Sequence, residues 1–587
     1  MIEAIYSNRK NFIVIGLTGR IGSGCTTAAE FLSEDKTNHK FNNLSIDDDS
    51  KDSDRKRFII DKFYKENWKP FTTIRATDII FTYLLKYDFE DFNKILESFN
   101  EKVHEAHIEL DKDEPNLQHP EINLYKRINL YGEIIQLDES FKEVYNAAHE
   151  KFKNFYDEIK SECEPSRVER LYQLITVELI QISDSIRKTL GKESYKNFTD
   201  IFQLLGDNIR LYGDIQLDES KKSAKNIYTI PESINDFIKI IKRYNDANDS
   251  PTLIAIDAIR NSLESMFFKE RYSSFYLFAI NAEDEHIEDR LHQKTGMTRE
   301  DIRKQSKKEH QEKSLASLEN FVSQNIQDCI SKSDIYIVNN GKYDEDDFKE
   351  LHGQLVKYVS LIMHPGLITP SVDEKMMQFA YTAKLNSGCI SRQVGASITN
   401  QNGSLKAVGW NSVAEGQTPC LLRSVDDLHC NSKSKAYSTY EQSREFKDTL
   451  EKEAIIPNTL GLNQSFCFKS IYTSYNPKEI GNQVHTRSLH AEENAFLQLA
   501  KYGGEGIKGG KLYTTASPCE LCAKKAYQLG IKDVIYIDPY PGIARQQILM
   551  TGLYPPNIKL FSGAVGVAYH KLFEQIIPYK DELANLA

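Results

Sequence analysis

His490-Ala491-Glu492 and, further along the chain, Pro518-Cys519-Glu520-Leu521-Cys522 are the two stretches that decide the fold of the C-terminal part. His490 would open a helix that reads HAEENAFLQLA, which places Glu492 on the same first turn as the imidazole. Cys519 and Cys522 would open a second helix, PCELCAKKAYQLG, so that both thiols point to one side. Together the two stretches supply three zinc ligands and one carboxylate that is not a ligand.

This residue set predicts a particular chemistry. Zinc held by His490, Cys519 and Cys522 would keep its fourth position for water, whose pKa falls toward neutrality on the metal. The helix N-terminus favours the thiolate form of the cysteines. A hydrolytic deaminase needs this set, with Glu492 as the carrier of protons. A closed zinc knuckle and a CxxC redox pair are the alternatives, but a structural site would normally show a fourth Cys or His nearby, and the CxxC helix has none.

Further residues extend this pattern upstream. The run SGCISRQVGA at 387–396 is followed by Gly409-Trp410-Asn411-Ser412, and Asn494 stands two residues after Glu492. With the metal motifs, these stretches make residues from about 370 to 545 similar to the zinc-dependent cytidine and deoxycytidylate deaminases. The resemblance implies that Asn411 contacts the sugar, that Arg392 lies near the phosphate and that Asn494 belongs to the substrate site. A turn asparagine and a solvated arginine are the structural alternatives for the first two.

The resemblance also raises the question of a second metal. Some phage deoxycytidylate deaminases carry a structural zinc in addition to the catalytic one. Five potential ligands flank a long insertion over 415–485: Cys389, Cys420, His429, Cys430 and His485. A second zinc is therefore an open alternative.

Composition limits the architecture and the partners. The chain has 587 residues, more than one hydrophobic core accommodates, so at least two domains are expected. Its net charge of −11 disfavours a polynucleotide held along a basic groove. Nine scattered cysteines and the lack of a signal segment or of an apolar run of about 18 residues predict a cytoplasmic protein with no membrane association.

A glycine-rich loop lies near the N-terminus. The apolar run 11–18 predicts a buried strand that leads directly into Gly19-Arg20-Ile21-Gly22-Ser23-Gly24-Cys25-Thr26-Thr27. This is the spacing of a P-loop, in which backbone N–H groups surround a phosphate and Thr26 binds Mg²⁺. Cys25, however, stands where a lysine should meet the terminal phosphates, so we expect nucleotide binding rather than fast phosphoryl transfer. The expected contacts are Gly19, Gly22, Ser23, Gly24, Cys25 and Thr26. Arg20 or Arg260 could restore part of the missing charge.

Later segments resemble nucleotide-kinase-like proteins. Leu253–Asp257, Phe275–Ile280 and the run 333–341 read as further strands, and the order predicts a doubly wound P-loop domain. Residues from about 85 to 245 have apolar residues at helical spacing and predict a helical insertion. The expected fold is thus α/β throughout: a kinase-like domain over 1–364 and an α/β/α deaminase-like domain over 365–587.

These observations predict an enzyme that deaminates free deoxycytidine nucleotides, dCTP and/or dCMP, with the P-loop domain as a regulatory sensor. The fusion resembles bacterial antiphage deoxycytidine nucleotide deaminases. That resemblance implies restraint in healthy cells through the P-loop domain, a homo-oligomer, or an inhibitory RNA or protein partner. A polynucleotide cytidine deaminase, a nucleotide kinase with an accessory zinc domain and a non-catalytic binding protein are the alternatives.

Overall fold

The chain folds into two compact units, Met1–Thr369 with Lys571–Ala587, and Pro370–His570. The computed structural model describes residues 2–39, 51–95, 139–160, 165–191, 195–300, 302–303, 317–341, 348–430, 434–454, 460–479, 483–503, 506–539 and 543–586. Part of the predicted helical insertion, 96–138, lies outside these ranges.

A parallel β-sheet forms the centre of the first unit. Its strands are β1 (Phe12–Thr18), β2 (Thr72–Arg75), β3 (Thr252–Asp257), β4 (Phe275–Asn281) and β5 (Ile335–Val338). They lie side by side in the order β5-β4-β1-β3-β2, and every neighbouring pair is parallel. β1 is central and apolar along its whole length, which suits a strand that is covered on both faces.

The helices of the first unit include most of the predicted insertion. They are α1 (Ile2–Asn11), α2 (Cys25–Ser33), α3 (Asp52–Asn67), α4 (Ala76–Leu84), α5 (Glu139–Phe152), α6 (Phe155–Lys160), α7 (Pro165–Gln173), α8 (Leu179–Gly191), α9 (Tyr195–Tyr212), α10 (Thr229–Ala247), α11 (Ser262–Arg271), α12 (Asp284–Thr295), α13 (Leu318–Val322), α14 (Ile326–Ser331) and α15 (Lys349–Met363). The inserted helices share one buried apolar cluster with the strands β1, β2, β3 and β4.

The predicted α/β class is confirmed, and the four strands expected near the N-terminal half all form. Strand β2 was not predicted, because its four residues, TTIR, contain a single apolar side chain and so show no recognisable period. The kinase-like assignment of this unit stays a prediction.

The second unit is built on a mixed sheet. Its strands are β6 (Gly395–Thr399), β7 (Leu405–Trp410), β8 (Ser412–Val413), β9 (Ser488–Leu489), β10 (Lys511–Ala516), β11 (Asp533–Asp538), β12 (Asn557–Leu560) and β13 (Gly563–Ala564). Five of them form a sheet in the order β12-β11-β10-β6-β7, in which β10, β11 and β12 are parallel and β6 and β7 antiparallel. β8 and β9 make a separate two-stranded ladder.

Helices complete this unit and the C-terminal end. They are α16 (Val372–Ala383), α17 (Val425–Cys430), α18 (Arg444–Ala454), α19 (Phe468–Tyr475), α20 (Ala491–Tyr502), α21 (Glu520–Gln528), α22 (Gly566–Phe573) and α23 (Tyr579–Leu586). The helices predicted to start at the two metal motifs are α20 and α21. None of the helices in the described part of the chain is long and apolar enough to cross a membrane.

The extent of the two units differs from the predicted 1–364 and 365–587, because the last residues belong with the first unit. The carboxylate of Glu582 accepts hydrogen bonds from the hydroxyl of Tyr6 at 3.1 Å and from Nε2 of His364 at 2.7 Å. These long-range contacts join the C-terminal helix to α1 through Tyr6 and to the end of α15 through His364, and no pattern in the sequence predicts them.

Candidate functional site

His490 is placed by a short ladder and by the start of a helix. β9 pairs with β8, and His490 follows β9 directly as the residue before α20. Its backbone N–H points to Oε2 of Glu493 at 3.5 Å, and its carbonyl accepts from the N–H of Asn494 at 2.8 Å. The first turn of α20 therefore holds the imidazole in a defined position.

The two thiols come from the next helix of the motif. Cys519 precedes α21 and Cys522 lies in its first turn, immediately after β10. The sulfur atoms of Cys519 and Cys522 lie 3.2 and 3.6 Å from Nδ1 of His490, and the three potential ligand atoms are all within 4.8 Å of one another. Two sulfurs and one imidazole nitrogen are donors that zinc prefers, so the residues present fit this metal.

Hydrogen bonding within the trio polarises the thiols. The Cys522 thiol donates to the sulfur of Cys519, which, with the neighbouring His490, lowers the pKa of Cys519 to about 4. The same bond raises the pKa of Cys522 above its usual value, and the bond to Cys519 raises the pKa of His490. Zinc binds cysteine as the thiolate, so metal binding would release protons from these side chains.

Glu492 lies beside the trio and is almost fully enclosed, with 4% of its surface exposed. Burial raises the pKa of its carboxyl group above the usual value, because the charged form loses its hydration. A carboxyl group whose pKa is raised in this way holds a proton more readily than an exposed one, which suits a proton carrier.

One interaction joins the two helices that supply the trio. Nζ of Lys525 in α21 forms an ion pair with Oε1 of Glu493 in α20. This ion pair was not predicted from the sequence. The signal available was Glu493 at the third position of the helix, where a carboxylate can accept from the backbone of the residue before the first turn.

The three residues assigned to the substrate lie in the same unit, and the structure shows how each is held. Asn411 accepts from the N–H of Val394 at 2.7 Å and donates to the carbonyl of Arg392 at 2.8 Å. The Arg392 guanidinium pairs with Asp538 at the end of β11. Asn494 donates to the carbonyl of Trp410 at 2.9 Å, next to Asn411. Their contact with a substrate stays a prediction.

The candidate ligands of a second zinc do not lie close enough together to bind a metal. Among the described residues, His490, Cys519 and Cys522 are the one group of three His, Cys, Asp or Glu side chains that could hold an ion. His429 instead lies 3.5 Å from a carboxylate oxygen of Glu451, and Cys420 lies near Arg487.

In the first unit, the glycine-rich loop connects β1 to α2 as its spacing predicts. Gly22 and Gly24 have φ angles of 81° and 108°, which glycine adopts without strain. Oγ1 of Thr26 donates to Oδ2 of Asp257 at 3.0 Å. Asp257 was not among the residues predicted for this loop, although it stands at the carboxyl end of β3, the edge of a parallel sheet at which ligands bind.

A cavity of about 860 Å³ opens beside this loop. Among the described residues, seven Arg or Lys side chains and three Asp or Glu side chains line it, although the whole chain carries a net charge of −11. The local excess of positive charge favours a phosphorylated ligand. Of the two arginines suggested to replace the missing lysine, Arg20 pairs with Asp284 at 2.5 Å and Arg260 donates to the carbonyl of Gly19 at 3.2 Å.

Comparison with known proteins concerns the second unit. Residues 370–538 match the family described as the cytidine and deoxycytidylate deaminase zinc-binding region. The deoxycytidylate deaminase of Enterobacteria phage T4 is 29% identical over 175 residues, which cover 28% of this chain and 77% of that protein. The deoxycytidylate deaminase of Schizosaccharomyces pombe is 28% identical over 181 residues, 30% of this chain and 41% of that protein.

A solved structure, the dCMP deaminase of cyanophage S-TIM5 in complex with dCMP and dUMP, is 23% identical, with a TM-score of 0.21, and covers 33% of this chain and 99% of that one. The matched range 370–538 contains the His490, Cys519 and Cys522 trio and Glu492. By sequence, residues 370–538 are similar to the cytidine and deoxycytidylate deaminase zinc-binding region.

Proposed function

We propose that the second unit catalyses hydrolytic deamination of free deoxycytidine nucleotides, converting dCTP and/or dCMP to dUTP and/or dUMP. The observation that carries the proposal is the convergence of His490, Cys519 and Cys522 within 4.8 Å, next to the buried carboxyl group of Glu492. The deoxycytidylate deaminases that resemble this unit support the substrate class.

The residues of the site fit the proposed reaction. Zinc bound by the trio would lower the pKa of water and so would supply a nucleophile at neutral pH. Glu492 accepts the proton of the attacking water and passes it to N3 of the cytosine ring. Glu492 then takes the proton of the new hydroxyl group at C4 and gives it to the amino group, so that the C4–N bond breaks, ammonia leaves and C4 keeps the oxygen as a carbonyl. Burial of Glu492 keeps bulk water from exchanging these protons.

Three residues are proposed to orient the nucleotide. Asn411 and Asn494 each use only part of their amide in the bonds described, so each retains an N–H group that could meet a sugar or a base. Arg392, near the end of β11, is proposed to attract the phosphate, with Asp538 fixing its guanidinium.

The first unit is proposed to bind a nucleotide with Mg²⁺ and to regulate deamination. The backbone of the loop from Gly19 to Gly24 offers N–H donors, and Thr26 with Asp257 offers oxygen ligands to a cation. Cys25 replaces the lysine that phosphoryl transfer requires, so the bound nucleotide would act as a signal rather than as a substrate.

Loss of dCTP stops DNA synthesis, and this consequence is the reason to propose a role in antiphage defence. The same consequence requires restraint in healthy cells, for which a homo-oligomer or an inhibitory RNA or protein partner is proposed alongside the first unit. The free cysteines of the described chain and the two thiol ligands suit the reducing cytoplasm.

Ammonia release tests the proposed reaction directly. The purified full-length protein would be incubated separately with CMP, dCMP, CTP, dCTP and single-stranded DNA, with the Glu492→Gln protein as the matched control. We expect ammonia from dCMP, dCTP or both, and little from the ribonucleotides or from DNA. Release from DNA alone would identify a polynucleotide deaminase, and release from none of the five would reject the assignment.

A further inference from the structure

The glycine-rich loop has lost its usual positive charge at Cys25, yet the cavity beside it is rich in cations. A bound polyphosphate needs a cation near the start of the helix, since backbone N–H groups carry only partial charges. The charge of Arg20 is balanced by Asp284, which makes this residue a poor replacement.

Arg290 is placed differently. It lies on α12, lines the cavity and is only 5% exposed. A Cβ atom built on Gly24 would lie 3.7 Å from NH1 of Arg290, so the guanidinium is next to the residue that precedes Cys25. The position left without a lysine is therefore adjacent to a buried arginine from another element.

Among the described residues, the hydrogen-bond acceptors of Arg290 are three neutral carbonyl groups. NH1 donates to Ser23 at 3.4 Å, NH2 to Asn339 at 2.9 Å and Nε to His286 at 3.1 Å. Within the described ranges, no carboxylate lies within ion-pair distance of it. Burial lowers the pKa of Arg290 to about 10, which reflects the cost of the enclosed charge. A buried cation without an anion is costly, and an anionic ligand at this place would offset the cost.

We propose that Arg290 binds the phosphate groups of a nucleoside di- or triphosphate in this cavity and takes the place of the lysine absent at position 25. The inference rests on the nucleotide binding proposed above and adds the residue that recognises the phosphate charge. Because Arg290 is anchored to the loop through Ser23 and to the end of β5 through Asn339, it cannot follow a phosphoryl group during transfer. The site would therefore hold a nucleotide without turning it over rapidly.

Calorimetric binding to the full-length protein tests the proposal, with Mg·ATP, Mg·dTTP and pyrophosphate as the probes. Arg290→Gln removes the charge, and Arg290→Lys keeps it without the planar fork. Asn339→Ala is the matched control, because Nδ2 of Asn339 donates to the same Ser23 carbonyl at 2.8 Å but carries no charge. Release of ammonia from dCMP is measured for each variant as a separate readout of the second unit.

We expect Arg290→Gln to weaken the binding of ATP or dTTP and of pyrophosphate by at least about tenfold, the usual effect of losing a charge-assisted hydrogen bond. The affinity of the Arg290→Lys protein should lie between those of the wild type and of Arg290→Gln. Asn339→Ala should lose clearly less affinity. Unchanged affinity in the Arg290→Gln protein, or an equal loss of affinity in the Asn339→Ala protein, would overturn the role of Arg290. Either result would leave the proposed nucleotide site standing. A wild-type protein that binds none of the probes would overturn the proposed nucleotide site as well, whereas deamination of dCMP would be unaffected.

If Arg290→Gln does not fold, Arg290→Lys decides the question. Pyrophosphate should raise the temperature at which this variant unfolds, because the charge that binds it is still present. No rise, under conditions in which pyrophosphate stabilises the wild-type protein, would contradict a role for the charge at position 290.

Discussion

At the scale of single residues, Glu492 is the group on which the proposed chemistry depends most. Changing it to Gln keeps its size and removes its ability to carry a proton, so deamination should fall by about 10²–10⁴-fold while zinc content and folding stay near those of the wild type. Ammonia release, elemental analysis and circular dichroism measure the three properties. Substantial turnover in the Glu492→Gln protein would show that another group moves the proton.

Cys519 is proposed to act through the metal. The Cys519→Ala protein should lose most of its zinc, because two donors hold zinc much more weakly than three. Elemental analysis should give about one zinc per wild-type chain. As the matched control, Cys467→Ala removes a thiol outside the trio and should keep the metal. A zinc content equal to that of the wild type in the Cys519→Ala protein would refute the assigned ligands. About two zinc ions per wild-type chain would instead support a second zinc site.

At the scale of elements, the position of His490 depends on how closely α20 approaches β7. A Cβ atom added to Gly409 in β7 would collide with the backbone of Ala491 and with Ala495 in α20. Gly409→Ala should therefore displace the helix, lower the stability by about 1–3 kcal/mol and reduce zinc binding. Thermal unfolding and elemental analysis measure both effects.

Gly506→Ala is the matched control for that substitution, since nothing lies within 4 Å of the corresponding Cβ position and the residue belongs to the same unit. It should leave both zinc content and stability close to the wild-type values. If the two alanine variants behave alike, close packing of α20 on β7 is not what positions the ligand.

At the scale of the whole molecule, the proposed regulation links the loop of the first unit to deamination by the second. Thr26→Val removes the hydroxyl that meets Asp257 and keeps the size of the side chain. The dependence of deamination on added Mg·ATP or Mg·dTTP should disappear in this variant, since a ligand shifts activity only if it binds one state better. Rates across a range of nucleotide concentrations measure this effect. A dependence identical to that of the wild type would leave the loop as a structural turn.

The sequence by itself determined the two helix starts that carry His490, Glu492, Cys519 and Cys522, the glycine-rich loop, and strands β1, β3, β4 and β5 of the first unit. These features are local, because a helix start places residues separated by two or three positions on one side, and a short apolar run bounded by turn residues favours a buried strand. His490 and Glu492, or Cys519 and Cys522, can therefore be read without a fold.

Only the tertiary structure decided which distant residues meet. The strand order brings Asp257 to Thr26, and the packing of α12 brings the buried Arg290 beside Gly24. Glu582 near the C-terminus meets Tyr6 near the N-terminus, so the chain returns to its first unit. Such contacts depend on how sheets and helices are ordered in space, and no short-range period in the sequence encodes that order.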